Sequence, residues 1–323
     1  GFAFTGVMCV VALLIAPNAT NRRPTIRIAV VQTNIPQDNK IAWELPQRVR
    51  DFDRFLELTQ QAAAATPKPD IIAWPETMFP GAFLDPSALD AVHQAETKMG
   101  RKFDGLTYFA EQLVALQGRL GIPMLVGAIG FDNGRLVERT QGLEIEDDGR
   151  YNSAFLIRGG RVDPVRYDKM ALTPFGEVMP GIRYWPWLQK KLLGLAANGM
   201  SFDLSEGKAP RAFSVEPGPV SIVTPICFEI TKPGVCRRLA LASDHVPTLL
   251  LNLTNDGWFG GFNPAREQHL QIARWRAAEL GVSVVRAANT GISTAISPSG
   301  RVLARGVDGS SKASEVDGTL TVD

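Results

Sequence analysis

The chain has 323 residues, 45% of them hydrophobic and 21% charged, which is enough apolar material for one large α/β domain or two ordinary ones. Its net charge of +1 argues against a nucleic-acid binder, which would normally show a basic stripe. Three cysteines are too few for a disulfide scaffold, and His93, His245 and His269 stand at no metal-ligand spacing, so no metal site is expected.

The opening run GFAFTGVMCVVALLIAP (1–17) carries no charge, and Arg22 and Arg23 are the first basic residues. It falls short of the roughly 20 residues that span a bilayer, and it lacks the Met and basic start of a signal peptide. The run reads as the C-terminal part of a transmembrane helix; a buried core helix is the other reading. GTLTVD at the far end stops within a strand-like pattern, so the chain is expected to be a piece of a longer membrane protein.

After Pro24, TIRIAVVQT (25–33) predicts a buried strand. Leu45, Val49, Phe52, Phe55 and Leu56 then mark one face of a helix over 45–65. DIIAWPE (70–76) predicts a strand stopped by Pro75, which has no N–H for a ladder. A helix over 104–120 and a strand over 122–130 follow, and YNSAFLIR (151–158) and DPVRYDK (163–169) flank GGR as a hairpin. Next come a strand over 219–227, a short helix over 233–242, a strand over 246–254 and a helix over 264–280 with Pro264 at its start. Two closing strands, VSVVRAAN and ISTAISPSG, lead through a turn into RVLAR. This order predicts an α/β domain over 25–323 with a pair of mixed sheets covered by helices, and no linker divides it. No G-x-G-x-x-G opens a helix, so a dinucleotide site has no support and no cofactor is expected.

Three predicted strands end on Glu76, Lys169 and Cys227. Strand carboxyl ends are where α/β sheets build sites, so the three could converge. A thiol becomes a nucleophile only when a neighbour takes its proton or stabilises the thiolate. Glu76 could serve as base, Lys169 as electrostatic stabiliser of thiolate and oxyanion, and the Phe228 backbone N–H as a second oxyanion donor. Taken alone, each has a plainer reading: a turn residue for Glu76 or Lys169, core filling or a bridge to Cys236 for Cys227.

WPET, YDKMALTPFGE, ICFEI and NLTNDGWFG together resemble the nitrilase (carbon–nitrogen hydrolase) superfamily. Within it, VVQTNIPQ, LTPFGE and NDGWFG followed by REQHLQIARWRAAEL are similar to the extracytoplasmic domain of the bacterial apolipoprotein N-acyltransferase family. The resemblance runs from about Thr25 to the end. It implies an α-β-β-α sandwich with a Glu-Lys-Cys triad: Glu76 as general base, Lys169 as oxyanion stabiliser, Cys227 as nucleophile. It further implies that Glu177 orients Lys169, that Glu229 supports the nucleophile loop, and that Trp43 and Trp258 are loop tryptophans contacting acyl chain or head group. Phe228 stands where the family commonly has Tyr, and the stretch before Trp43 is about two residues longer than the family's. The implied reaction moves an acyl chain from a phospholipid donor, through a Cys227 thioester, to the N-terminal amine of a diacylglyceryl-cysteine apolipoprotein. The implied protein is a monomer in the bacterial inner membrane with this domain on the periplasmic side. Arg22 and Arg23 point the other way under the positive-inside rule, which weakens for large translocated domains.

IRYWPWLQKKLLGLAANGM (182–200) combines Trp, Leu and paired lysines as a segment at a membrane interface does, or as a covering helix does. A nitrilase-type amidase acting on a small amide shares the triad, and a non-catalytic membrane-tethered module is the remaining alternative.

Overall fold

The computed structural model describes residues 25–35, 44–81, 83–100, 103, 105–139, 142–174, 176–178, 204–216, 220–244, 246–260, 262–306 and 318–322. The apolar run 1–17, Trp43 and the segment 182–200 lie outside them. Among the described residues no helix is long and apolar enough to cross a membrane.

The first half builds one sheet. Strands β1 (Ile28–Gln32), β2 (Ile71–Trp74) and β3 (Met124–Asp132) run parallel. The hairpin β6 (Gly149–Arg158) and β7 (Arg161–Asp168) adds antiparallel strands beyond β3, and β14 (Gly318–Val322) adds one beyond β1. The second sheet repeats the plan: β9 (Val220–Val223), β10 (Leu249–Thr254) and β11 (Ser283–Ala288) are parallel. They are flanked by antiparallel β8 (Ala212–Val215) on one side and β12 (Thr294–Ile296) and β13 (Val302–Arg305) on the other. A small ribbon, β4 (Arg135–Arg139) with β5 (Gly142–Glu146), stands apart.

Parallel strands covered on both faces read as continuous apolar runs rather than alternating ones, and IAVVQ, IIAW and LLLNLT do so here. Side-chain alternation still divides their partners. Ala29, Val31, Ile72, Trp74, Met124 and Val126 pack on helices α1 (Leu45–Ala63) and α3 (Tyr108–Leu120). Ile28, Val30, Ile71, Ala73 and Leu125 join the core shared with the second sheet. Phe52, Phe55 and Leu58 recur at helical spacing on α1; Phe55 stacks on Trp74 with ring centroids 4.4 Å apart. Helices α4 (Pro233–Ala240) and α5 (Asn263–Leu280) supply Leu239, Leu270, Ala273 and Ala277 to that larger core.

The expected helix and strand order holds, with three additions. Helix α2 (Pro86–Met99) falls where no element was expected; Asp85 caps it by accepting the Ser87 N–H at 2.9 Å, Pro86 opens it, and Gly100 ends it at φ +62°. The ribbon β4–β5 and the edge strand β8 are the others. The three site-bearing strands end earlier than predicted, at Trp74, Asp168 and Val223, so each candidate residue lies just past its strand.

Candidate active site

Glu76 follows Pro75 at the end of β2, and its carboxylate is buried (5% exposed). The chain can turn there because Gly127 on β3 has no side chain: a Cβ would sit 2.3 Å from the Pro75 carbonyl and 2.8 Å from the Glu76 Cα. Glu76 Oε1 accepts from Asn152 Nδ2 at 2.8 Å and from Lys169 Nζ at 3.2 Å, and Oε2 accepts the Asn255 backbone N–H at 3.0 Å. Asn255 follows β10, so this last bond ties the first sheet to the second.

Lys169 is fully buried at the end of β7. Its ammonium lies between Glu76 and Glu177, 2.7 Å from Glu177 Oε2, and donates to Thr173 Oγ1 at 3.2 Å. Burial works against the charged form, but Glu76, Glu177 and the Cys227 position outweigh it and hold Lys169 above its ordinary value. Glu177 is held below the usual carboxylate range: burial pushes it up, and the Lys169 ammonium, Asn152 and the Thr173 N–H overcome that. Asn152 Nδ2 donates to both carboxylates, at 2.8 Å to Glu76 and 2.7 Å to Glu177.

Cys227 begins a 3₁₀ turn (Cys227–Thr231) just after β9, with φ +48°. A non-glycine residue in the left-handed region is strained and persists where its surroundings over-determine it. Glu229 supplies that determination. Its Oε2 accepts the Ile226 N–H at 2.8 Å, and Oε1 accepts the Met170 and Ala171 N–H groups at 2.7 and 3.0 Å. Tyr167 OH lies 2.8 Å from both oxygens. One fully buried carboxylate thus joins the cysteine turn to the segment after Lys169. Burial raises the Cys227 thiol, Glu76 adds to the rise, and Lys169 opposes it, so the resting group is a neutral thiol. Cys227 is 7% exposed and counts among the core residues, so the apolar surroundings and the charged neighbours occur together. Both Cys227 and Cys236 are free, which removes the bridge between them.

Phe228 is half-buried in the first turn after Cys227, where backbone N–H groups have no partner within the turn, and Lys232 Nζ lies 4.7 Å above its ring. Trp258 sits in a second 3₁₀ turn (Asp256–Phe259) and is 42% exposed. A side chain at Gly176 would meet its ring at 3.5 Å, so Trp258 covers the segment carrying Glu177. Phe259 and Phe262 are exposed on the same loop. The structure therefore brings together Glu76, Lys169, Glu177, Glu229 and Cys227, with Trp258 at the margin. Asn152, Thr173, Tyr167 and the Asn255 N–H were not anticipated; β6 mixes Arg150, Asn152 and Ser153 with its apolar residues, so nothing local singles out Asn152. Among the described residues no cluster of His, Cys, Asp or Glu could hold a metal ion.

With Glu229 set apart in the cysteine turn, the Lys169 ammonium, the Glu76 and Glu177 carboxylates and the Cys227 thiol carry net charge −1, so one carboxylate is free to take the thiol proton without leaving a bare positive charge. That is chemistry for attack on a carbonyl carbon. A family model described as carbon–nitrogen hydrolase matches residues 27–318, and the chain belongs to that family. Its curated relatives include the apolipoprotein N-acyltransferases of Bdellovibrio bacteriovorus, 33% identical over 86% of this chain and 45% of the relative, and of Bradyrhizobium diazoefficiens, 33% identical over 93% and 51%. That of Rhodopseudomonas palustris is 31% identical over 88% and 47%. The chain thus spans about half the length of the curated relatives it matches. Solved structures of like fold include a mutant of the amidase from Nesterenkonia sp. AN1 with acrylamide added at its active site cysteine. It is 17% identical, with a TM-score of 0.57 over 93% of each chain. A glutamine-dependent NAD+ synthetase from Acinetobacter baumannii is 16% identical, with a TM-score of 0.55 over 92% of this chain and 45% of the other.

Proposed function

We propose that this chain is the acyl-transfer domain of an apolipoprotein N-acyltransferase, taking an acyl chain from phospholipid and passing it to the N-terminal amine of a diacylglyceryl-cysteine lipoprotein. The observation that carries the reading is similarity to proteins of that name over 86% to 93% of the chain. Glu76 accepts the Cys227 proton as the sulfur attacks the ester carbonyl. The developing oxyanion is stabilised by the Lys169 ammonium and the Phe228 N–H. The C–O bond breaks, Glu76 returns the proton to the leaving alcohol, and a lysophospholipid departs, leaving a thioester on Cys227. In the second half the acceptor amine attacks that thioester, Glu76 takes the amine proton, and the thiolate leaves and is reprotonated.

Glu177 holds Lys169 beside Glu76, the two carboxylates sharing the Asn152 amide, and Glu229 keeps the cysteine turn closed. Trp258, Phe259 and Phe262, exposed beside the cluster, suit a lipid donor better than a small amide. Trp43 is assigned with Trp258 to substrate contact, and the protein to the inner membrane with this domain on the periplasmic side.

The test is the full-length protein in phosphatidylethanolamine vesicles with a diacylated lipopeptide. Release of lysophospholipid matched by N-acylated peptide is the expected result. Ammonia release from small amides, with no lysophospholipid, would replace this reading with the amidase one. Protection of the domain from protease added to spheroplasts would overturn the periplasmic assignment.

A further inference from the structure

Behind the loop that holds Glu76 lies a charged cluster that the reaction above does not use. Asp256, His269 and Arg286 come from the turn after β10, from α5 and from β11, and each is buried. Asp256 Oδ2 accepts from Arg286 Nη2 at 2.9 Å, and Oδ1 pairs with His269 Nδ1 at 2.8 Å. A carboxylate only accepts, so Nδ1 carries the proton, and Arg286 Nη2, 3.4 Å from that same nitrogen, is left to Asp256. Arg286 is held in turn by the carbonyls of His269 and Ile292, each at 3.3 Å. Gly291, at φ +114°, lets the facing loop close on Asp256, where a Cβ would lie 2.3 Å from Oδ2.

The cluster reaches the reacting groups through the turn after β10. Thr254 Oγ1 donates to Asp256 Oδ1 at 3.2 Å, which ties Asp256 back to the end of β10. The intervening residue, Asn255, sends its N–H to Glu76 Oε2 at 3.0 Å. Its side-chain oxygen is pinned by the Gly257 N–H at 3.2 Å and the Thr290 hydroxyl at 2.9 Å. We propose that the Asp256–His269–Arg286 cluster is a positioning device that fixes the turn after β10, and with it the Asn255 N–H, against Glu76. The proposal rests on the reading of Cys227 as nucleophile and Glu76 as base, but not on the identity of the acyl donor.

Burial and Glu76 are the larger influences on the thiol, with Lys169 opposing them and Asp256 a further one. Burial opposes the Asp256 carboxylate, and Arg286, His269 and Thr254 hold it ionised. His269 Nε2 is buried without a partner, so an apolar replacement of the ring sacrifices only the Nδ1 bond.

That sets the test, made on the full-length protein. His269→Leu removes the bond to Asp256; His269→Asn places an amide N–H near the position of Nδ1 and keeps it. Iodoacetamide labelling of Cys227, followed by peptide mass spectrometry, reads nucleophile reactivity without any acyl donor, and melting temperatures are recorded alongside. With His269→Leu, alkylation should slow about tenfold, the size of one ordinary hydrogen bond, at temperatures where the variant is fully folded. His269→Asn should recover most of the loss, and in the acylation assay the deficit should fall on kcat rather than KM. Wild-type alkylation in the Leu variant, or equal loss in both variants, would overturn the proposal. Failure of the wild type to take acyl groups from phospholipid while Cys227 still alkylates would sink the function instead, leaving the positioning role standing.

Discussion

Replacing Glu229 by Gln changes no atom's place and removes one acceptor. At present Oε1 serves the Met170 and Ala171 N–H groups and Oε2 serves the Ile226 N–H. An amide oxygen turned toward Met170 and Ala171 leaves its NH2 facing Ile226 N–H, donor against donor, in a fully buried site. Losing one buried bond to a charged acceptor costs about 1–3 kcal/mol, and the opposed donors add to it, so about 2–4 kcal/mol is expected near neutral pH. The effect also depends on pH. Burial pushes the Glu229 carboxyl up to about 7 from an ordinary 4.5, against the pull of the Ile226 N–H, Lys169 and Tyr167. The folded protein therefore binds this proton more tightly than the unfolded chain. That stabilisation is complete below 4.5 and lost by about pH 7. At about 1.4 kcal/mol per pH unit it amounts to at most about 3.5 kcal/mol. The wild-type advantage over Glu229→Gln should thus narrow as pH rises through this window. Urea unfolding followed by tryptophan fluorescence across the window measures it. Parallel curves for the two proteins, or a loss under about 0.5 kcal/mol at every pH, would refute the reasoning.

Lys169→Met leaves Glu76 and Glu177 as uncompensated buried carboxylates and should cost about 3–5 kcal/mol, read in the same unfolding assay, with acylation lost. Gly127→Ala drives a methyl into the Pro75 carbonyl and should cost about 1–3 kcal/mol while displacing Glu76; Cys227 alkylation should slow even at temperatures where the variant is fully folded. Trp258→Ala should cost about 1–2 kcal/mol, because more than half of the residue is covered, and should raise KM for phospholipid donor in vesicle kinetics.

Most of the framework was legible because it is local. Strands β1, β2 and β10 are unbroken apolar runs, and α1 repeats Phe52, Phe55 and Leu58 on one face. Helix α2 was missed although Asp85-Pro86 is a start signal, since only Ala88, Val92 and Ala95 of its face are buried. The ribbon β4–β5 stands outside both main sheets, and its one strand signal is the short alternation of Leu143 and Ile145 with Glu144 and Glu146. The site divides the same way. Glu76, Lys169 and Cys227 stand after recognisable strands. Asn152 meets Glu76 across 76 residues, and the Asn255 contact uses a backbone N–H, which no residue type announces. Core filling is half of the answer for Cys227: the fold sets the thiol in apolar packing and also beside Glu76 and Lys169.

The central claim is that Cys227 carries the acyl group. Full-length protein incubated with phosphatidylethanolamine of defined acyl chain, quenched in acid and digested, should yield the Cys227 peptide heavier by one acyl group, with the mass shift removed by hydroxylamine as for a thioester. Cys227→Ala should yield none. An acyl adduct that persists in Cys227→Ala, or lysophospholipid release with no adduct at Cys227 under any quench, would contradict the account.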